Sequence, residues 1–259
     1  MFLAIDVGNT QSTLGLFDDE GQLAKGWRMT SNASDTSDML HARLFSYFLK
    51  DGYELADVSA AAVASVVPAL TRAWWRCLGD LLGRSPLLVN ATHDYGMPID
   101  MPNPRTVGAD RIANAIAARN AYGSPVIVVD FGTATNIDVV DDRGAYRGGA
   151  ISPGLMLSAN ALFSKAAKLA SIPVEAPEHA LGDTTETAMQ SGLVIGAAAQ
   201  AEGLVSRMKA ELGIEQAKVI GTGGLARTVS RATDLFDAVD PTLTLRGIRE
   251  IWLHQHGGA

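Results

Sequence analysis

Cysteine is almost absent from this sequence: Cys77 stands alone among 259 residues. A lone thiol excludes an internal disulfide and is compatible with a reducing compartment. It lies in Ala73-Trp74-Trp75-Arg76-Cys77-Leu78, an amphipathic helical stretch where core filling is the expected role rather than catalysis. Basic clusters are missing as well. Acidic residues outnumber Lys and Arg, giving a formal charge of −7, which argues against a nucleic-acid or membrane-surface partner. No apolar run approaches the ~18 residues that a membrane helix needs. Asp6 interrupts the apolar amino terminus almost at once, so Phe2-Leu3-Ala4-Ile5 reads as a strand rather than a signal peptide. The five histidines are scattered with no pair at metal-binding spacing, and no Ser-His-Asp or Cys-His pattern stands out. Low-complexity linkers are lacking too. A soluble, cytoplasmic protein with rigidly joined parts is the expectation.

What is present is one glycine turn in two versions. Asp6-Val7-Gly8-Asn9-Thr10-Gln11-Ser12-Thr13 follows the apolar run Phe2-Leu3-Ala4-Ile5. Asp130-Phe131-Gly132-Thr133-Ala134-Thr135 follows Val126-Ile127-Val128-Val129. Each copy reads strand, Asp-x-Gly, small polar residues, second strand. Each then reaches a Gly after an acidic pair, at Gly21 and Gly144, offset by one residue between the copies. Such a repeat predicts two related lobes facing each other. Gly lets backbone approach a ligand closely, and successive N–H groups with Thr and Ser hydroxyls solvate phosphate oxygens. A carboxylate at the strand end can hold the accompanying hard cation directly or through water. A single Asp-x-Gly could merely close a hairpin; two copies after apolar strands favour a nucleotide site.

Periodicity predicts strands over 2–6, 12–17, 23–28, 60–67 and 87–89, and helices over 35–50, 71–82 and 111–121. The second lobe repeats the scheme with strands near 126–130, 135–141 and 145–150, helices over about 153–170 and 184–212, a strand over 217–221 and a closing helix over 243–254. The class is therefore α/β with mixed sheets flanked by helices, with lobes over 1–116 and 117–259.

Gly108-Ala109-Asp110-Arg111 opens a helix after a proline-punctuated loop. Asp110 could accept a proton from a substrate hydroxyl, and Arg111 could clamp a carboxylate with two parallel hydrogen bonds. On spacing alone, Asp110 as a helix cap and Arg111 as a solvated charge are the commoner reading. Thr222-Gly223-Gly224 after a strand, and Gly148-Gly149-Ala150-Ile151-Ser152-Pro153-Gly154, are two further places where bare backbone could meet a ligand.

Taken in order, Asp-x-Gly-Asn-Thr, Gly-Ala-Asp-Arg, Asp-Phe-Gly-Thr-Ala-Thr and Thr-Gly-Gly-Leu-Ala resemble type III pantothenate kinases over nearly the whole chain. That family sits in the superfamily of acetate kinase, sugar kinases, Hsp70 and actin. The resemblance extends through Gly182-Asp183-Thr184-Thr185 and the tail Asp240-Pro241-Thr242-Leu243-Thr244-Leu245-Arg246-Gly247. It implies two ribonuclease H-like lobes with a ligand cleft between them. It also implies ATP-dependent phosphorylation of pantothenate to 4′-phosphopantothenate, the first step of coenzyme A synthesis. By this resemblance Asp6, Val7, Gly8, Asn9, Thr10, Gln11, Ser12 and Thr13 hold the ATP phosphates, with Asp6 near Mg2+ or another divalent cation. Thr133 contacts ATP, and Asp130 binds K+ or NH4+. Asp110 is the general base; Gly108, Ala109, Asp110 and Arg111 bind pantothenate. Thr185 reaches pantothenate from the neighbouring subunit of a homodimer, for which the Ala/Gly-rich 184–212 helix is a candidate packing surface. Met101 stands where an aromatic, commonly Tyr, is usual, with Tyr95 upstream as an alternative wall of the substrate site. Asn136 replaces a usual Thr, and Asp183-Thr184 a usual Lys-Asn. Two other readings stay open on the sequence: another kinase or phosphatase of the superfamily, and a nucleotide-binding regulator without catalysis.

Overall fold

The structure, a computed structural model, describes residues 1–165 and 171–257. In chain order the first part runs β1 (Phe2–Val7), β2 (Gln11–Phe17), β3 (Leu23–Thr30), α1 (Ser37–Asp51), β4 (Ala60–Ser65), α2 (Pro68–Leu82), β5 (Leu87–Val89) and α3 (Ala109–Tyr122). It continues with β6 (Val126–Phe131), β7 (Ala134–Val140), β8 (Tyr146–Pro153), α4 (Leu155–Lys165), α5 (Thr185–Gln190), α6 (Gly196–Leu212), β9 (Lys218–Thr222), α7 (Ala226–Val229), β10 (Ala238–Val239) and α8 (Leu243–Gln255). The helix expected to run to about residue 170 is described to Lys165; its remainder lies outside the described residues. The helix expected over 184–212 is α5 and α6 joined by a five-residue π stretch, Ser191–Ile195.

Both sheets have one design. The first is ordered β3-β2-β1-β4-β5 and the second β8-β7-β6-β9-β10, the same sequence of connections. In each, the leading strand pairs antiparallel with the next and parallel with the fourth. Even the irregularity is shared: register shifts between Leu16 and Phe17 in β2, and between Val139 and Val140 at the equivalent step of β7. The repeat read from the two turns is thus a repeat of topology.

The chain divides into two compact units. Met1–Gly96, Asn103–Ala117 and the chain from Leu243 make up the first, and Met97–Pro102 with Ala118–Thr242 the second. The division is not sequential, because α8 packs on the first sheet. In the first unit, Leu3, Ile5, Val7, Leu14, Leu16, Trp27 and Met29 point to one side, under Leu40, Leu44 and Phe48 of α1 and Leu70, Trp74, Cys77 and Leu78 of α2. Thr36 caps α1 by accepting from the Met39 N–H, and Gly52 ends it in the left-handed conformation that glycine tolerates. Cys77 is 1% exposed, and burial pushes its thiol pKa up to about 12, so it is an inert core residue.

The opposite side of β1 and β2 is covered by α8. A side chain at Gly15 would strike Leu245, and the Trp252 ring lies 5.2 Å from that of Phe2. Helix α8 in turn holds the start of α3. A Cβ on Gly247 would sit 1.9 Å from the Ala113 carbonyl oxygen, and Thr244 Oγ1 donates to the buried Asn114 Oδ1 at 2.7 Å. In the second unit, Ile127, Val129, Phe131, Ile137 and Val139 pack against Leu155 and Ala159 of α4 and Val194, Ala198, Ala201 and Val205 of the π stretch and α6. Residues 97–102 join that unit through Tyr146, whose N–H donates to Pro98 and whose carbonyl accepts from Asp100. Arg143 links the Asp100 and Asp141 carboxylates. Burial would raise the Asp141 pKa, but hydrogen bonds from Ala145, Arg143 and Arg147 outweigh it and hold the carboxyl below its usual range.

Because Gly247 allows α8 to touch the α3 backbone, Gly247→Ala is expected to destabilise the first unit by about 3 kcal/mol, the upper end for overpacking. Thermal unfolding measures this, and an unchanged midpoint would refute the close contact.

Candidate active site

Strand β1 ends where its apolar register meets a carboxylate. Asp6 pairs with Thr13 of β2 on one side and Ala64 of β4 on the other. It lies half-buried on the α8 side of the sheet, between core residues Ile5 and Val7 that point the other way. The turn then closes with the Gly8 N–H donating to the Gln11 carbonyl at 3.0 Å, leaving Asn9, Thr10 and Gln11 exposed. The pleat sorts the remaining hydroxyls. Thr13 shares the face of Asp6, whereas Ser12 is 1% exposed on the core side, its Oγ 2.8 Å from Ser31 Oγ. Val7 is likewise a core side chain. With Gly8, which has no side chain, these two of the residues from Asp6 to Thr13 can offer a ligand their backbone only.

The start of α3 comes to the same edge. Val66, just past β4, donates its N–H to the Val7 carbonyl at 3.1 Å. A Cβ on Gly108 would lie 3.8 Å from Val66 Cγ1 and 2.5 Å from Asp110 Oδ1. Asp110 is half-buried and accepts from the Arg111 N–H at 2.9 Å; Ala109 is buried and Arg111 half-buried. Asp6 and Asp110 therefore both belong to the carboxyl edge of the parallel pair β1–β4, the edge at which open α/β sheets bind ligands.

The second unit repeats the acidic strand end with more bare backbone. Asp130 pairs with Thr222 of β9. Gly223, at φ +89°, lies so close that a Cβ would meet Asp130 Oδ1 and the Phe131 backbone. Gly154 packs on the carbonyls of Gly132 and Thr133 and donates its N–H to the latter at 3.1 Å. Both glycine segments singled out in the sequence thus converge on the Asp130 turn, where Thr133 is exposed. Met101 lies against Gly148 in this unit, and Thr185 is the exposed first residue of α5, capped by Thr184. Tyr95 belongs to the first unit. Its ring is 4% exposed, and its hydroxyl accepts from the Asn90 N–H and lies 3.2 Å from His93 Nδ1. Burial raises its pKa, and these hydrogen bonds of its hydroxyl are to residues of its own loop.

Among the described residues, no group of three or more His, Cys, Asp or Glu side chains is gathered for a metal. Asp6 alone at a phosphate-type turn still suits Mg2+, which keeps several waters and takes one or two carboxylates plus substrate oxygens. Among the same residues, no helix is long and apolar enough to cross a membrane.

Two sheets of one topology, each with an Asp-x-Gly turn on its central strand, define the actin and sugar-kinase class of fold. Solved structures agree: a Streptomyces griseus ROK family glucokinase in complex with glucose and AMPPNP superposes with TM-score 0.52 at 12% identity, covering 99% of each chain. A Campylobacter jejuni protein described as a Baf family transcriptional activator reaches 0.64 at 18% identity, over 99% of this chain and 100% of that one. The model of the type III pantothenate kinase family matches residues 2–207. A protein of Moorella thermoacetica named type III pantothenate kinase is 42% identical over 97% of this chain and 98% of its own length. Another so named, from Thermomicrobium roseum, is 42% identical over 99% and 98%. This chain belongs to the type III pantothenate kinase family.

Gly108→Ala places a methyl group against the Asp110 carboxylate while touching little else. Expected is a thermal midpoint close to that of the parent with turnover reduced about tenfold or more, within what a displacement of about 1 Å can cost an enzyme. Equal turnover would mean that the Asp110 carboxylate has room to spare.

Proposed function

We propose that this protein is a kinase that transfers the γ-phosphoryl group of ATP to the primary hydroxyl of pantothenate. The observation that carries this reading is the arrival of Asp110 and the Asp6 turn at one edge of the first sheet, in a chain of this family. Phosphoryl transfer needs positioning and charge stabilisation more than covalent chemistry by the protein. Asp110, at the start of a helix fixed by α8, accepts the hydroxyl proton as the oxygen attacks. Its neighbour Arg111 pairs with the pantothenate carboxylate, the bidentate partner that guanidinium geometry favours. Gly108 and Ala109 give the substrate bare or nearly bare backbone, and Met101 and Thr185 complete its contacts, Thr185 from a neighbouring copy in a homodimer.

On the nucleotide side, the Asp6–Thr13 turn supplies N–H and hydroxyl donors to the phosphates, and Thr133 adds a contact to ATP. Asp6 would hold a divalent cation and Asp130 a monovalent one, K+ or NH4+; bound there, these ions would offset phosphate charge. A cytoplasmic location fits the substrate and the composition.

Release of ADP followed by a coupled assay is the test. Expected is ADP formation that requires both pantothenate and ATP and rises with K+. Asp110→Asn should retain nucleotide binding and lose about 10²–10⁴ in turnover, the usual worth of a general base. Phosphorylation of a sugar instead, or nucleotide binding without any turnover, would displace this reading.

A further inference from the structure

We propose that Arg28 binds the polyphosphate of the nucleotide, completing a three-strand row with Asp6 and Thr13; the proposal rests on the kinase reading above. The row is a matter of register. Asp6 of β1 pairs with Thr13 of β2, and Thr13 pairs with Arg28 of β3. The rows on either side, Ile5–Leu14–Trp27 and Val7–Ser12–Met29, are buried on the core side, so Asp6, Thr13 and Arg28 share the opposite face. Strand spacing puts the Arg28 backbone roughly 10 Å from that of Asp6, and an arginine side chain is long enough to cover much of such a distance.

Arg28 is held in this row by its neighbour. Trp27 donates its indole N–H to Asp51 Oδ2 at 2.7 Å and stacks on Phe48 with ring centroids 5.0 Å apart, while Lys25 pairs with the same Asp51 at 2.9 Å. These contacts lock the edge strand to the end of α1. A slip by one residue would turn Trp27 out and Arg28 in. The guanidinium itself is exposed and, among the described residues, makes no hydrogen bond or ion pair; only its carbonyl is engaged, by the Tyr47 hydroxyl at 3.5 Å. An arginine carrying no structural duty beside a hydroxyl and a carboxylate at a glycine turn matches what a chain of phosphates requires: a fork of donors, a further O–H and a place for the counter-cation.

The second unit supplies an internal control. Its equivalent row is Asp130–Asn136–Ile151, with Ile151 64% exposed where Arg28 stands in the first. The same topology carries a cation in one copy and an aliphatic side chain in the other. Fold maintenance does not account for the charge, since the second sheet forms without it. A requirement confined to the first turn does account for it.

The experiment measures dissociation constants of ATP, ADP, AMP and adenosine for the parent, Arg28→Ala and Arg28→Lys, together with KM values and thermal midpoints. Expected for Arg28→Ala is ATP binding weaker by roughly tenfold to a hundredfold, the range for a lost charged hydrogen bond. The penalty should shrink as phosphates are removed and vanish for adenosine. Arg28→Lys should recover part of it, and the KM for pantothenate and the midpoint should stay close to parental values. ATP affinity within twofold of the parent, or an equal loss for adenosine, overturns the proposal. A parent chain that binds ATP but forms no ADP with pantothenate sinks the kinase reading alone, and the ligand series still decides on Arg28. A parent that binds no ATP overturns both.

Discussion

The structure hinges on the pairing of β1 with β2 and β4 in a single register. Strand β1 is covered on both faces, by α1 and α2 on one and by α8 on the other. Strands buried on both sides usually read as unbroken apolar runs, and β1 does so until Asp6. The carboxylate is half-buried there, one row nearer the strand end than the point where Leu245 of α8 rests on Gly15, the partner of Ala4 on the same face. The pleat then decides everything at the edge. It sends Asp6 and Thr13 to one side, and Val7 and Ser12 to the core. A chemically uniform stretch of small polar residues is thereby divided into side chains that can meet a ligand and side chains that cannot.

The acidic turns, the strands that lead into them and most helices were legible because each has a local signal: an apolar run, a glycine, a 3.6-residue period. What was not legible depended on long-range partners. Periodicity marks 243–254 as a helix but does not say that Gly247 lies on Ala113. Ser12 and Thr13 look alike in a list and differ only through register. Strand β10 has two residues and carries no pattern at all. The π stretch at Ser191–Ile195 lies inside a continuous Ala/Gly-rich period, and one extra residue per turn leaves no mark in composition. Tyr95 is another such case: its place in the sequence does not say that its hydroxyl bonds to Asn90 and lies beside His93 of its own loop.

Glycine at the candidate site works mainly by subtraction. Gly108 leaves room for the Asp110 carboxylate, Gly223 for that of Asp130, and Gly154 for the carbonyls of residues 132 and 133. In each case the missing Cβ brings a backbone up against an acid or a turn, so the resulting surface presents amide and carbonyl groups with little steric cover. Only Gly223 among these also has a positive φ, making it the least replaceable on conformational grounds.

A topology used twice lets the two acidic turns look alike while their surroundings differ. Shared strand order and a shared register shift are costly to alter, since each affects a whole sheet. Solvent-facing positions at a strand end are cheap to alter, because a substitution there changes neither pairing nor core. Differences between the two units should then collect on the exposed face at the carboxyl edge. Thr13 against Asn136 and Arg28 against Ile151 are differences of this kind, placed in one row. A polar hydroxyl and a cation in the first unit, an amide and an aliphatic side chain in the second, leave equivalent carboxylates in unlike electrostatic settings. One fold unit used twice can in this way serve a highly charged ligand with one copy and a less charged one with the other, with no change in its scaffold.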